Sequence, residues 1–185
     1  MLPTKYANIY DIRFQSSINM IDERYAKSDV RIRLFAEMET QYDNQNQQYF
    51  KDLLSHEDSV IRTRVICILA DISGLDAVER ISRVLKSDKN ALVRHEAAFS
   101  LGQLGYLSAI SALSSAVKSD PSYFVRHEAA VALGVIGSEE ARAILNEALK
   151  DKSEEVRESA IIALANLDYV STMKRNNKFT RMTGG

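Results

Sequence analysis

The chain has one cysteine, Cys67, in 185 residues, so no disulfide can form within it, which fits a reducing compartment. There is no tryptophan, and two prolines leave few places where a helix must break. No apolar run reaches the roughly 18 residues that a membrane span needs. The N-terminus lacks the charged-then-apolar pattern of a secretory signal. The expectation is a soluble, cytoplasmic protein with no membrane partner. Charge of one sign is also lacking, since the formal net charge is −1. Its distribution is uneven. From Ser171 onward there are four basic residues (Lys174, Arg175, Lys178, Arg181) and no acids, which leaves 20 basic and 25 acidic side chains in residues 1–170. An acidic body disfavours non-specific binding of nucleic acid, so no nucleic-acid partner is expected.

What is present is a repeat. The hexapeptide Val-Arg-His-Glu-Ala-Ala occurs at 93–98 and again at 125–130, and each copy runs into an apolar stretch and a Leu-Gly, Leu101-Gly102 and Leu133-Gly134. Aligned on His95 and His127, further copies place Ile32, Thr63 and Glu158 at the same slot, at steps of 31 or 32 residues. An apolar residue stands two before the slot (Val30, Ile61, Val93, Val125, Val156), and an Arg one before it in every copy. Leu69, Leu101, Leu133 and Leu164 stand six after it, and Ile72, Leu104, Ile136 and Leu167 nine after it. This spacing belongs to a helix with one apolar face. A glycine turn follows (Gly74, Gly105, Gly137), then a second amphipathic stretch (77–85, 109–117, 141–149) and a short polar link. Asp and Ser in the links can accept N–H bonds at the next helix start.

Two helices per repeat, in tandem, make an all-α solenoid, and the units resemble HEAT repeats of 31–32 residues, about five of them. The reading divides the chain into a helical cap over 1–28, a repeat domain over 29–170 and a basic disordered tail over 171–185 ending in Gly184-Gly185.

The duplicated His-Glu pair is the one constellation suited to chemistry. It is not a zinc-protease motif, because the fourth residue on is Phe99 or Val131 rather than a second His. On a helical wheel the His slot falls about 160° from the centre of the apolar stripe, and the Glu about 100° from it and from its own His. Each His and its neighbouring Glu therefore diverge. Equivalent helices of adjacent repeats lie about 8–10 Å apart, so two imidazoles can converge on one ion, with a carboxylate arriving from elsewhere. The fold does not demand His-Glu there, since Thr63-Arg64 and Glu158-Ser159 fill the same slots. The bland alternative is a solvated face, on which the Arg of every unit would also be an exposed, solubilising charge. His56-Glu57 is out of register and reads as a capping or solvent-exposed pair. Cys67 aligns with Phe99, Val131 and Ile162 and reads as a packed apolar side chain.

With Val-Arg-His-Glu-Ala followed by Leu-Gly in successive repeats, residues 60–168 resemble deoxyhypusine hydroxylase. The resemblance implies a di-iron centre that activates O₂ and hydroxylates a polyamine-extended lysine on a translation factor. It implies two halves, each with two His-Glu pairs, and metals between the halves. Carried over, His95 and His127 are metal ligands, Glu96 is a ligand given to the opposite site, and Glu128 is a catalytic carboxylate contacting the substrate amine or supporting a ligand. This chain holds two such pairs rather than four, so the resemblance implies a homodimer with two irons. The alternative is a non-enzymatic HEAT scaffold that presents a surface to a protein partner. A third reading, a HEAT-like bilin lyase, has no specific residue behind it.

Overall fold

The computed structural model describes residues 28–175, and all but the last residue of the cap expected over 1–28, with the part of the tail expected over 171–185 that follows 175, lie outside them. Two compact units divide after Asn46. The first contributes one described helix, α1, over 28–43. Its end is closed by Gln45, whose amide donates to the Tyr42 carbonyl at a left-handed φ of 53°.

The second unit holds α2 (Gln47–Leu53), α3 (Ser59–Ser73), α4 (Leu75–Ser87), α5 (Ala91–Leu104), α6 (Ile110–Ser119), α7 (Tyr123–Ile136), α8 (Arg142–Ala148) and α9 (Glu154–Arg175). Single 3₁₀ turns, Leu107–Ala109 and Glu139–Ala141, lead into α6 and α8. All regular structure among the described residues is helical, an all-α solenoid. The first helices of the repeats, α3, α5, α7 and α9, pack side by side in one layer, and α4, α6 and α8 form the other.

The core is built from the slots that the repeat defines. Two before the aligned position, Ile61, Val93, Val125 and Val156 are fully buried, and two after it so are Val65, Ala97, Ala129 and Ala160. The second helices bury one stripe each, Ala77, Val78, Ile81 and Leu85 in α4, as a surface helix does. Asp58 caps α3 by accepting the Val60 N–H, and Asn90 caps α5 by accepting from Leu92 and Val93. Gly105 and Gly137 end α5 and α7 in the left-handed conformation, at φ 69° and 65°. The last helix departs from expectation. α9 runs on through Arg175, into the stretch read as a disordered tail.

The arginine before the aligned slot is not an exposed charge. Arg62, Arg94 and Arg126 are 5%, 8% and 4% exposed. Each binds an Asp of the link that ends its own repeat through two parallel bonds. Arg94 Nε and Nη2 donate to Asp120 at 2.7 and 2.9 Å, and Arg62–Asp88 and Arg126–Asp151 repeat the geometry. The same guanidinium reaches back to a carbonyl of the preceding link, His56 and Glu57 for Arg62, Asp88 for Arg94, Asp120 for Arg126 and Asp151 for Arg157. Each paired Asp also accepts the N–H two residues on, from Asn90, Ser122 or Ser153. A wheel drawn for one helix misses this pairing, because the carboxylate arrives 25 or 26 residues later in the chain.

Neighbouring first helices touch through small residues. A Cβ on Gly102 would stand 2.8 Å from Ala132 Cβ and 2.9 Å from its Cα, and one on Gly134 would stand 2.8 Å from Ala163 Cα. Backbone atoms cannot step aside as a flexible side chain would. We expect Gly102→Ala to cost about 1–3 kcal/mol by overpacking, read as a lower urea midpoint with an unchanged slope.

The ladder also sets an acid limit. The hydrogen bond from Arg126, helped by the Ser153 N–H, outweighs burial and holds the Asp151 carboxyl below its ordinary value. At Asp88 burial pulls upward, but Arg62 and the Asn90 N–H together outweigh it and the net direction is again down. A lowered folded value means that the unfolded chain binds more protons, so stability rises with pH across that window. This contribution is complete above the ordinary carboxylate value of about 4 and is lost as pH falls through the lowered ones. Asp151→Asn should cost about 3 kcal/mol at pH 7 and flatten the acid limb of a stability–pH curve measured by urea unfolding.

Candidate functional site

The aligned slot of one first helix faces the next position of the following one. His95 on α5 meets Glu128 on α7, Nε2 to Oε2, at 3.2 Å. One repeat on, His127 meets Ser159 on α9, Nδ1 to Oγ, at 2.6 Å. His95 is fixed further by Phe124, whose ring stacks on the imidazole at 3.9 Å and 6°. Phe124 and Ser159 were not singled out by the sequence reading. Ser159 was visible as the residue in the Glu slot of the last repeat, whereas nothing local marked Phe124.

Ser159 assigns the His127 tautomer. Its hydroxyl also lies 2.6 Å from the Glu155 carbonyl, which can only accept. The hydroxyl proton goes there, so His127 Nδ1–H donates to the oxygen and Nε2 keeps its lone pair. Ligating histidines are commonly held this way, one nitrogen anchored and the other open.

His95 and Glu96 engage opposite neighbours. His95 looks forward to α7, while Glu96 looks back to α3 and accepts from Cys67 Sγ at 3.0 Å. Cys67 is exposed, not packed in the core. Its slot lies on the flank of the first helices, where Phe99 is 44% and Ile162 70% exposed. His56 lies apart in the α2–α3 link, and its Nδ1 accepts the Asp58 N–H at 3.0 Å.

Histidine nitrogens and carboxylate oxygens are donors that suit iron. Among the described residues, however, no three of His, Cys, Asp or Glu stand together as a set that could hold a metal ion. The donor types fit and their number among the described residues does not, so a metal held here would need ligands from beyond them.

The repeats and this face define an α-solenoid carrying HEAT repeats, and a family model for HEAT repeats matches residues 78–165. Within that class the chain resembles human deoxyhypusine hydroxylase, solved in complex with glycerol, at a TM-score of 0.62 and 29% sequence identity. The likeness covers 78% of this chain and 49% of that one, so the chain spans about half the length of its solved relative. A search of curated proteins gives no match.

Although the residue is exposed, the protein packed around its sulfur, and then the hydrogen bond to Glu96, push the Cys67 thiol up to about 12. A thiol raised that far carries little thiolate at pH 8. In metal-free protein we expect iodoacetamide to label Cys67 at least about tenfold more slowly than a free cysteine, and Glu96→Gln to speed labelling; mass spectrometry of timed samples reads both.

Proposed function

We propose that this chain is one half of an O₂-dependent di-iron hydroxylase that a second copy completes. The observation that supports it is the placement of His95 and His127 at one slot of consecutive repeats, in a chain that resembles half of human deoxyhypusine hydroxylase. His95 and His127 are the histidine ligands. His127 offers Nε2, because Ser159 occupies Nδ1. Glu96 turns away from its own histidine, which favours its service to the facing site. Glu128 orients the His95 ring and sets a carboxylate beside the site for a cationic amine.

Bound iron would supply activation of O₂ for hydroxylation at carbon. The chain itself would hold the imidazoles in plane, supply carboxylates that favour a protonated amine, and present apolar surface to a protein substrate. Leu92, Phe99 and Tyr123, 63%, 44% and 51% exposed, stand on the helices that carry the histidines. The substrate class is a lysine-derived amine side chain on a protein, as the name of the solved relative suggests, and the setting is cytoplasmic. A two-fold arrangement would face two identical arcs and gather four His-Glu pairs.

The second reading is a HEAT scaffold without turnover. The same exposed Leu92, Phe99 and Tyr123 favour it, because a protein-binding face needs them and needs no metal. Metal analysis by plasma mass spectrometry on the light-scattering peak, after aerobic and anaerobic iron loading, separates the two. The hydroxylase reading expects about two irons per dimer, lost in His95→Ala with helicity unchanged. A metal-free monomer whose His95→Ala, His127→Ala form keeps its protein partner would establish the scaffold instead.

A further inference from the structure

We propose that the groove between α2, the α2–α3 link and α4 binds a small oligophosphate. It is a shallow groove of about 500 Å³, open to solvent, and Lys51, His56 and the exposed Arg80, Arg83 and Lys89 line it. This inference does not rest on the iron reading.

The argument is a surplus of donors. Apart from the Glu57 carboxylate, the main acceptors in the wall are already used. The His56 and Glu57 carbonyls take Arg62 Nη1 at 2.7 and 3.0 Å, and both Asp88 carboxylate oxygens take the same guanidinium. The Arg83 carbonyl takes the Ser87 hydroxyl, at 2.8 Å. Glu57 is the one lining carboxylate not engaged by Arg62.

The donors remain. The side chains of Arg80 and Lys89 make no hydrogen bond or ion pair among the described residues. Lys51 reaches the Gln47 amide oxygen at 3.3 Å, and Arg83 pairs with exposed Glu79. His56 accepts at Nδ1, so the neutral ring carries its proton on Nε2 as one more donor.

The fold does not require four of these five residues, Lys51 being matched by Arg83 in the next repeat. One repeat on, the positions of His56, Arg80, Arg83 and Lys89 hold Asp88, Ala112, Ser115 and Pro121. Bulk composition does not explain them either, because residues 1–170 carry more acids than bases.

The ligand class follows from the donors. Guanidinium forks with ammonium groups are the usual partners of phosphate oxygens. The donors spread over two helices and two links, and the groove falls in the range of about 300–1,000 Å³ that holds a small molecule rather than one ion. The acidic body disfavours a polynucleotide, whose charge would extend beyond the groove.

The test is titration calorimetry of the full chain with inorganic tripolyphosphate, repeated with sulfate at matched ionic strength. The expected result is one site per chain, weakened at least about tenfold in Arg80→Gln, Lys89→Gln and less than about twofold in Lys118→Gln, which removes an equal kind of charge from α6. Absence of binding would overturn the proposal. So would equal weakening by Lys118→Gln, or sulfate binding as tightly as tripolyphosphate. Single-stranded RNA that binds more tightly than tripolyphosphate, and is lost in the double variant, would overturn the ligand class.

Discussion

Three arginines, Arg62, Arg94 and Arg126, each lie buried between two links of the solenoid and hold both. Each grips a carbonyl of the link before it and both carboxylate oxygens of the link after it. Such a pair adds little net stability over a well-packed apolar group, but leaving either charge alone inside costs several kcal/mol. Its main effect is therefore on register. A first helix turned by one residue, or a link one residue too long, would strand a guanidinium and an aspartate together. The rung on one helix shares Asp88 or Asp120 with the next, whose arginine takes that aspartate's carbonyl. The rungs thus form a ladder rather than isolated pairs.

The histidine slot inherits its position from that ladder, because it follows the arginine directly. With Arg94 and Arg126 locked, α5 and α7 have fixed rotations. Gly102 and Gly134 remove the side chains that would hold the helices apart. Rotation and spacing together bring His95 to Glu128 and His127 to Ser159, by one rule applied twice. The outcome differs only because the last repeat has Ser where the one before has Glu. A carboxylate at His95 and a hydroxyl at His127 make two histidines of unlike surroundings from identical hexapeptides.

The same geometry explains why the described residues do not close a metal site. A helix face one or two residues wide points in one direction. Glu96 lies about 100° round from His95, so it reaches the previous repeat and meets Cys67. Any ion held by these groups must be met by donors approaching from the open side of the layer.

Much was decided by the sequence alone. A period of 31 or 32, with apolar residues at fixed slots and glycine turns, specifies stacked helical pairs, because no other packing buries those slots together. The paired Val-Arg-His-Glu-Ala-Ala also marked the face that carries the candidate site. The misreadings have separate causes. Cys67 reads from its slot partners Phe99, Val131 and Ile162 as a packed side chain, and the bland alternative takes the arginines for solvated charges because their partners lie far along the chain. Only the stacked structure brings an aspartate from 25 or 26 residues away onto each arginine, and turns the Cys67 slot onto an open flank. Periodicity in the chain fixes which residues are equivalent. Which of them meet depends on the offset between neighbouring helices, and that offset is set by contacts distant in sequence.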